Sequence, residues 1–513
     1  MILGLAYFSI PIAAFLIFGL GSFLFPGSDM VVLVSVIGLL FDLPVMIAYG
    51  MFSALIPRSG GDYVFISRSF SPVLGFAASF VVWLYGGTFA GGQNAYFTVT
   101  LGIAPYLAAI GSTSGNFALV SFAQTIVQPI PIIIIGSIMI LALFVILLVP
   151  TSAVHRLLFW LFIIGFLGYP ILYIAVLAGS SHAQFVSTFN SYATTLGLNT
   201  SYDGIIASAR QAGATITVPT LAATLAALPL AYATLGVPAP GVAVGGETKH
   251  ASRQVPIGLL AGLFVIAIST AIMGYLTYNV FGYDFISATA YYGFSGASGY
   301  PLLGAPYPNY FLAILYPNPI FNWFMLISVI AWQLMVMALI GLVATRVLFA
   351  WSFDRVVPSA MADINERFHT PVKAATVVSI ACFVFLILTV YNFLGTYVSL
   401  ILAQTSLYFL TMIAAVLYPF LKKDMFTRTP SWANKKVGGI PILSILGGIG
   451  AILLLVNFYY LFASPAVSGV SPMSAVVVSV SYVIFIVLFY IVKAYRKSQG
   501  IDLRYVFQEI PPE

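Results

Sequence analysis

Long apolar stretches are the feature that most constrains this chain. Of its 513 residues, 61% are hydrophobic and only 6% are charged. A helix of about 20 apolar residues crosses the roughly 30 Å hydrocarbon core of a bilayer, and a soluble domain cannot bury so many such stretches. We therefore predict an all-α polytopic membrane protein with about 12 transmembrane helices. The expected spans are residues 3–25, 31–57, 72–101, 128–150, 154–179, 218–245, 255–280, 320–350, 371–392, 395–420, 441–463 and 473–493.

Positive charge is distributed unevenly between the loops that join these spans. If the amino terminus lies in the cytoplasm, all of the 19 Lys and Arg residues except Arg210 fall in cytoplasmic loops or in the tail. Cytoplasmic loops of membrane proteins carry such an excess of cations. We therefore predict an even number of spans, both termini in the cytoplasm and a location in the plasma membrane. The net charge of +6 is explained by this orientation and requires no nucleic-acid partner.

The first apolar stretch begins close to Met1 and lacks the basic leader and cleavage site of a secretory signal, so we expect it to be retained. Pro11 has no backbone N–H and disfavours helical geometry at Ile10, which predicts a break at residues 9–12. Residues 19–21, Gly-Leu-Gly, form a second weak point. A half-helix of about ten residues must follow the break, so residues 9–12 are the preferred position, with only a short half-helix before Ser9.

The sixth stretch contains a denser set of helix breakers. Residues 228–241 read Leu-Pro-Leu-Ala-Tyr-Ala-Thr-Leu-Gly-Val-Pro-Ala-Pro-Gly. A regular helix cannot continue through these prolines without unpaired backbone groups, and lipid does not tolerate such groups. Paired interruptions in corresponding helices of two repeats indicate a binding site near the bilayer midplane. The alternative is a simple kink, since Pro and Gly are common in membrane helices.

Three motifs follow in order on the predicted cytoplasmic face. Residues 56–64 read Ile-Pro-Arg-Ser-Gly-Gly-Asp-Tyr-Val, residues 245–249 read Gly-Gly-Glu-Thr-Lys, and residues 346–358 read Arg-Val-Leu-Phe-Ala-Trp-Ser-Phe-Asp-Arg-Val-Val-Pro. In these motifs the chain resembles the amino acid–polyamine–organocation permeases over roughly residues 1–420. The resemblance implies the leucine-transporter-like fold, in which two inverted repeats of five helices are followed by two trailing helices. Substrate is then expected at unwound parts of helices one and six.

The same resemblance implies a single transport domain at residues 1–493. Its first repeat is expected near residues 3–179, its second near 218–420 and its trailing helices near 441–493. The remaining residues, 494–513, form a predicted cytoplasmic tail.

An amino acid substrate carries a carboxylate and an ammonium group, and neither can be buried without partners. Broken helices offer free N–H groups to the carboxylate and free C=O groups to the ammonium. Helices three, eight and ten would complete the pocket, although amide and hydroxyl side chains also join membrane helices to one another. The candidate substrate-binding residues are Ser9, Ile10, Pro11, Ile12, Tyr232, Ala233, Thr234, Gly236, Gln93, Asn94, Trp332 and Gln333, and helix ten adds Gln404, Thr405 and Ser406.

Asp42 is the acidic residue placed well inside a predicted span. A carboxylate there must take a proton, face a cavity or find a partner. Asp42 is therefore a candidate proton carrier, and the alternative is a neutral acid bonded to a carbonyl freed by Pro44. Proton-driven relatives often use a lysine in helix five, which this chain lacks. Sodium-driven relatives use hydroxyls of helix eight, for which Ser328 is the match, so the coupling ion stays open.

The loop between helices two and three has the composition of a tight connection at a gate. Gly60 and Gly61 permit positive φ angles. Asp62 can cap the next helical turn or pair with Arg58 or Arg68, and we expect it to fix the loop rather than to touch substrate.

Glu247 follows helix six and is also assigned to the inner gate. We expect it to pair with Lys249 or Arg253 rather than to contact substrate.

These observations predict a secondary amino acid transporter that works by alternating access. Because no charged side chain is expected beside the breaks, neutral or hydrophobic amino acids are favoured, by proton symport or exchange. A polyamine or organic-cation carrier is the alternative, with Asp42 as its single supporting carboxylate. A membrane-embedded enzyme would need clustered His, Asp, Glu or Cys side chains at membrane depth, which the sequence does not suggest. No cofactor or metal is predicted, the partners are substrate, protons or sodium, and lipid, and the oligomeric state is not indicated.

Overall fold

The computed structural model describes residues 10, 14–235, 238–298, 300–303, 307–392, 399–427, 430–463 and 472–507. Within them, ten helices are long and apolar enough to cross a membrane. They correspond to the second to fifth and the seventh to twelfth predicted spans, and we number them accordingly. The all-α polytopic prediction is confirmed. The ten helices are Met30–Leu55, Ala90–Thr113, Pro129–Leu148, Ser152–Ala178, Ala251–Phe281, Pro319–Phe353, Val372–Val390, Leu400–Leu421, Ile442–Ala463 and Met473–Ser498.

The first and sixth predicted spans have a different form. The described part of helix one is a π-helical turn, Phe15–Gly21, that continues into Ser22–Leu24. The sixth span is divided into the short helices Leu221–Ala226, Leu228–Leu235 and Ala239–Ala243.

Local sequence explains where the long helices begin and end. Helix two starts after Asp29, whose carboxylate accepts hydrogen bonds from the N–H groups of Val31 and Val32, as an N-cap residue does. Helix eight starts in the same way after Asn318, with Pro319 in its first turn, where the missing N–H of proline is not needed. Helix three is longer than predicted and runs without a gap from residue 72 to residue 113.

Several connections contain shorter helices, and one contains a small hairpin, that were not predicted from the sequence. A small hairpin joins helices ten and eleven, in which Lys436–Val437 pairs antiparallel with Ile440–Pro441. Its turn uses Gly438 and Gly439, whose φ angles are 56° and 83°, a conformation that glycine adopts without strain. The shorter helices are Asp62–Ser69, Phe117–Ile126, His182–Thr195, Tyr202–Gln211, Tyr283–Phe294, Pro308–Leu315, Lys423–Thr427 and Leu503–Val506.

The long helices pack into one bundle with two polar ends. Helix two packs against helix seven, helix three against nine, helix five against eight and helix ten against eleven. We call one end the basic end, and its described residues are 56–72, 244–253, 354–373, 422–427, 430–441 and 494–507. The opposite end contains an exposed ion pair between Arg210 and Asp284, 2.8 Å apart.

Candidate functional site

Helix six is divided into short helices inside the bundle. Leu228–Leu235 is the last described element before residues 236–237, and Ala239–Ala243 begins after Pro238. Pro238 and Pro240 lack the N–H groups that a continuous helix would need at these positions. Residues 236–237, which include Gly236, lie outside the described residues, so the break at this point stays a prediction. We call residues 228–243 the broken segment.

The side chains of the broken segment differ in how they use their polar atoms. Tyr232 is 1% exposed, and its hydroxyl has no hydrogen-bond partner in the described part of the chain. The hydroxyl of Thr234 donates to the carbonyls of Leu230 and Ala231 at 3.0 and 2.9 Å, so it is held within its own helix. The side chain of Ala233 lies outside the description. Tyr232 therefore has an available polar group, and Thr234 does not.

Asp42 lies on helix two beside the broken segment. A Cβ added to Gly38, one turn before Asp42, would lie 2.8 Å from Leu235 Cδ1 and 3.1 Å from Ala231 Cβ. The helix Gly38–Leu55, which contains Asp42, packs against Leu228–Leu235, which contains Tyr232. Helix two and the broken segment thus place two buried candidate site residues on neighbouring helices.

The Asp42 carboxylate is buried without a partner. The residue is 0% exposed, and neither carboxylate oxygen has a hydrogen-bond partner among the residues that the structure describes. The alternative in which Asp42 bonds to a carbonyl freed by Pro44 is therefore wrong in this conformation. A buried, unpaired polar group of this kind calls for an explanation, such as a ligand or a proton.

Helix one adjoins the same place through its described residues. Ile10 is 1% exposed, whereas Ser9, Pro11 and Ile12 lie outside the described residues. The Gly-Leu-Gly sequence at residues 19–21 does not interrupt the helix, because it lies in the π-helical turn. A Cβ added to Gly21 would lie 2.9 Å from Leu230 Cδ2, so this glycine allows close packing against the broken segment.

Helix three supplies a third buried polar side chain without a partner among the described residues, the amide of Asn94. Asn94 is 0% exposed, and both polar atoms of its side chain lack a partner among the described residues. Gln93 is half-buried. The neighbouring Gly91 and Gly92 pack tightly against helix nine, since a Cβ on Gly91 would lie 2.3 Å from Cys382 Cα. The glycine pair therefore serves close helix packing.

The candidates on helix eight pack against helix five. The Trp332 ring lies 5.9 Å from the Phe162 ring and 6.3 Å from the Phe166 ring. The Ser328 hydroxyl donates to the Ile164 carbonyl at 3.0 Å. Gln333 is buried. Trp332 and Ser328 thus join two helices in the described contacts.

Helix ten uses its candidate side chains in a similar way. The hydroxyl of Thr405 accepts a hydrogen bond from the Asn457 amide at 3.0 Å, and the Ser406 and Tyr482 hydroxyls are 2.8 Å apart. These contacts connect helix ten to helices eleven and twelve, which is the interhelical alternative for such side chains. Gln404 donates to the Tyr408 hydroxyl at 3.3 Å.

Helix five has an irregular turn that was not predicted from the sequence. Tyr169 has non-helical backbone angles within the π-helical turn Leu167–Leu172, and its peptide bond to Pro170 is cis. The Tyr169 hydroxyl bonds to the Tyr106 hydroxyl at 2.7 Å and donates to the Asn309 side chain. The sequence Gly-Tyr-Pro at residues 168–170 was the available signal.

The Gly60-Gly61 loop contacts the broken segment at the basic end. The φ angles of Gly60 and Gly61 are 104° and 49°, so the predicted positive angles are confirmed. The N–H of Gly60 donates to the Ala243 carbonyl at 3.0 Å, and Ser59 forms a β-bridge with Val244. The loop is therefore held against the second half of helix six.

Asp62 is buried at the start of the following helix. Its carboxylate accepts hydrogen bonds from the Tyr49 hydroxyl and, at 2.8 Å, from the Thr411 hydroxyl. The expected pair with Arg58 or Arg68 is wrong, because Asp62 faces helices two and ten instead. Burial raises the pKa of Asp62 to about 6, and the two hydroxyl donors offset only part of this effect.

Two bidentate ion pairs connect helix eight to its neighbours. Arg346 donates to both oxygens of Glu247, at 2.7 and 2.9 Å, so the expected pairing of Glu247 with Lys249 or Arg253 is wrong. Arg68 donates to both oxygens of Asp354, at 2.7 and 2.6 Å, and Tyr63 adds a bond to Asp354 at 2.5 Å. The planar guanidinium suits this two-point geometry, which lysine cannot match.

Comparisons with known proteins agree with this architecture. A family model described as amino acid permease matches residues 1–490. The chain also matches 107 chains of solved structures, among them the crystal structure of MhsT in complex with L-phenylalanine. That match has a TM-score of 0.51 at 16% identity and covers 88% of this chain and 98% of that chain. It shows a shared, leucine-transporter-like fold. No curated protein sequence matched the chain significantly.

Proposed function

Because this chain belongs to the amino acid permease family, we propose that it is a secondary transporter of neutral or hydrophobic amino acids. It works by alternating access and is driven by protons or by exchange. The observation that carries this proposal is that the Asp42 carboxylate and the Tyr232 hydroxyl are buried without a hydrogen-bond partner among the described residues, where the sixth span is divided into short helices.

The predicted break offers chemistry that suits an amino acid. A break after Leu235 would leave the last carbonyls of the helix Leu228–Leu235 without partners within that helix, and the carboxyl end of a helix carries partial negative charge that attracts an ammonium group. The Tyr232 hydroxyl is a buried donor for the carboxylate. A break at residues 9–12 of helix one, which is predicted from the sequence, would add N–H groups for the carboxylate, as in other transporters with broken helices.

The remaining candidates take different proposed roles. Asn94 has a buried amide with unused donors and acceptors, so we assign it to the substrate pocket with Gln93 and Gln333. Trp332 and Ser328 contact helix five, and we assign them to the support of the pocket.

Burial of the site supports alternating access. Ile10, Asp42 and Tyr232 are each at most 1% exposed, so substrate reaches them only after the bundle opens. We propose that Gly60, Gly61, Asp62 and Glu247 control opening at the basic end. Contacts of these residues with helices two, six, eight and ten couple the loop to the elements that must move.

We propose that the basic end and both termini face the cytoplasm of a cell whose plasma membrane contains the protein. The excess of Lys and Arg at that end supports this orientation. We further propose one transport domain at residues 1–493, with repeats near residues 3–179 and 218–420, and a tail at residues 494–513.

Asp42 is the proposed proton carrier. A carboxylate without a cationic partner in an apolar interior is most stable when protonated, and it ionises when the site opens to water. Sodium is the alternative coupling ion. It would bind oxygen atoms of helix eight, and the Ser328 hydroxyl keeps its oxygen lone pairs while it donates to the Ile164 carbonyl.

A polyamine or organic-cation carrier is the second candidate, and the same carboxylate favours it. An ammonium group of the substrate could replace the proton as the partner of Asp42. The two functions differ in the charge of the substrate, so uptake separates them.

The test is uptake by the purified protein in proteoliposomes. Neutral amino acids are expected to accumulate saturably, and accumulation is expected to rise when the inside is made alkaline relative to the outside. Uptake confined to diamines such as putrescine would replace the leading proposal with the second. No saturable uptake of either class would refute both.

Asp42→Asn tests the coupling. This variant is expected to lose accumulation driven by a pH gradient while it retains exchange of substrate across the membrane, because exchange needs no net proton transfer. Asp284→Asn is the matched control, since Asp284 lies exposed in an ion pair at the opposite end. Unchanged accumulation by Asp42→Asn would show that the carboxylate is structural.

A further inference from the structure

A cavity of about 320 Å³ lies at the basic end, away from the broken segment. It is bounded by the start of helix three, the end of helix ten, the last turns of helix twelve and the tail. Its lining combines basic and apolar side chains, which include Lys422, Lys493, Arg504, Pro72, Phe489 and Phe507.

The two lysines of this cavity have no counterion among the described residues. Lys422 and Lys493 are half-buried, and neither ammonium group forms a hydrogen bond or an ion pair with those residues. The Lys493 ammonium lies 6.0 Å from the Tyr490 ring, which leaves its charge unneutralised. Arg504 differs, because Asp502 binds its guanidinium at 2.7 Å. The described lining of the cavity therefore carries uncompensated positive charge.

A partly desolvated ammonium group without an anion is unfavourable, and a second one nearby adds repulsion. An anion in the cavity would relieve both costs. Since Lys422 directly follows helix ten and Lys493 lies near the end of helix twelve, this anion would sit at the membrane boundary. Phosphate headgroups of anionic lipids occupy this depth.

Helix twelve provides a path for the acyl chains of such a lipid. Within the most apolar 18-residue stretch of this helix, only 11% of the residues are buried in the bundle. Most of the helix is therefore available to lipid. Phe489 lines the cavity one turn before Lys493 and joins the charged part to this apolar surface. A free phosphate ion would gain nothing from these apolar walls, whereas a lipid would use both parts.

We propose that this cavity binds the phosphate headgroup of an anionic phospholipid between Lys422 and Lys493, with the acyl chains along helix twelve. The site is separate from the proposed substrate site and does not depend on the transport function. The tail forms one wall: Leu503 and Phe507 are buried, and the Phe507 ring lies 4.8 Å from the Arg68 guanidinium. Lipid binding therefore stabilises the packing of the tail on the basic end.

The test compares lipid binding by the full-length protein and by two double variants. Phosphatidylglycerol or phosphatidylcholine is titrated into the detergent-purified protein, and bound lipid is counted by native mass spectrometry while the thermal unfolding midpoint is recorded. Phosphatidylglycerol is expected to bind and to raise the midpoint, and phosphatidylcholine is not. Lys422→Ala/Lys493→Ala is expected to lower the affinity for phosphatidylglycerol about fivefold per lysine.

The matched control is Lys423→Ala/Lys497→Ala, which removes exposed lysines next to the same helix ends and is expected to keep the affinity of the unmodified protein. Equal affinity in both double variants would overturn the site. Equal stabilisation by inorganic phosphate would overturn the lipid as its source. Because Lys422 and Lys493 form no hydrogen bond or ion pair with the described part of the chain, their removal should leave the unfolding midpoint in phosphatidylcholine unchanged. If the alanine variant does not fold, Lys422→Gln/Lys493→Gln provides the same comparison.

Discussion

Buried charged groups are paired at the basic end, whereas the Asp42 and Tyr232 side chains in the interior beside the broken segment lack partners among the described residues. At the basic end, Arg68 and Asp354 are each at most 2% exposed, and both are fully engaged in a bidentate pair. In the interior, Asp42 and Tyr232 are equally buried, yet their polar atoms have no partners among the described residues.

The difference teaches how the two regions function. A buried network in which every member is bonded favours one geometry, so the basic end is stable when closed. A buried group without a partner retains its full capacity for hydrogen bonding, and it is satisfied only when a proton or a ligand arrives. This contrast supports the proposal that the interior binds a ligand or a proton and that the basic end keeps the bundle closed.

The largest expected effect comes from breaking the buried ion pair. Arg68→Met leaves the Asp354 carboxylate buried without its cation, and we expect the free energy of unfolding to fall by about 3–5 kcal/mol. Arg68→Met/Asp354→Leu removes both charges and is expected to lose much less. Denaturant titration of the protein in detergent micelles measures both values. An equal loss in the single and double variants would show that the network does not act as a pair.

The second prediction concerns the pH dependence of Asp62. Burial raises the pKa of Asp62 from 3.8 to about 6, so the folded state holds its proton more tightly than the unfolded state does. The stabilisation is complete below about pH 4 and is lost as the pH rises through about 6, with a total on the order of 2–3 kcal/mol. Unfolding measured between these limits should show this decline.

Asp62→Asn is the control for the pH dependence. Its side-chain oxygen still accepts from Tyr49 and Thr411, but it does not titrate, so the decline attributed to Asp62 should vanish. A curve for this variant that matches the unmodified protein would assign the pH dependence to another group.

The third prediction compares two buried tyrosines. The Tyr63 hydroxyl donates to Asp354 at 2.5 Å, so Tyr63→Phe should lower the free energy of unfolding by about 2 kcal/mol, as expected for a bond to a charged group. Tyr232→Phe removes a buried hydroxyl that has no partner among the described residues, so it should not lower the free energy of unfolding and should raise it by about 1 kcal/mol. Substrate affinity should show the reverse order. Similar stability losses in both variants would mean that Tyr232 has an unrecognised structural partner.

The amino-acid sequence predicts the parts of this fold that the bilayer controls. Membrane thickness sets the length of an apolar helix, so the ten long helices were recognisable from hydropathy alone. Proline chemistry likewise predicted a division of helix six near Pro238 and Pro240, and the described helices on either side of Pro238 are separate elements.

The partners of polar side chains were not predictable in the same way. Glu247 pairs with Arg346, 99 positions away, rather than with Lys249 nearby, and Asp62 bonds to Thr411, 349 positions away. Such contacts depend on how helices are arranged in space, which local spacing does not encode. Trp332 illustrates the same limit, because an aromatic residue in mid-helix is equally suited to a pocket and to packing against Phe162.

The smallest expected effect tests whether the exposure of an ion pair at the basic end determines how much that pair stabilises the fold. The side chains of Arg346 and Glu247 are 10% and 29% exposed, so water already screens part of their attraction. Glu247→Gln should therefore lower the free energy of unfolding by only about 1 kcal/mol, and added salt should reduce this difference. Lys249→Gln changes an exposed residue of the same loop and should have no effect. Suppose that Glu247→Gln lowers the free energy of unfolding as much as Arg68→Met does and that salt does not change this loss. Burial then does not set the strength of these ion pairs, and the contrast between the paired groups of the basic end and the unpaired groups of the interior loses its physical basis.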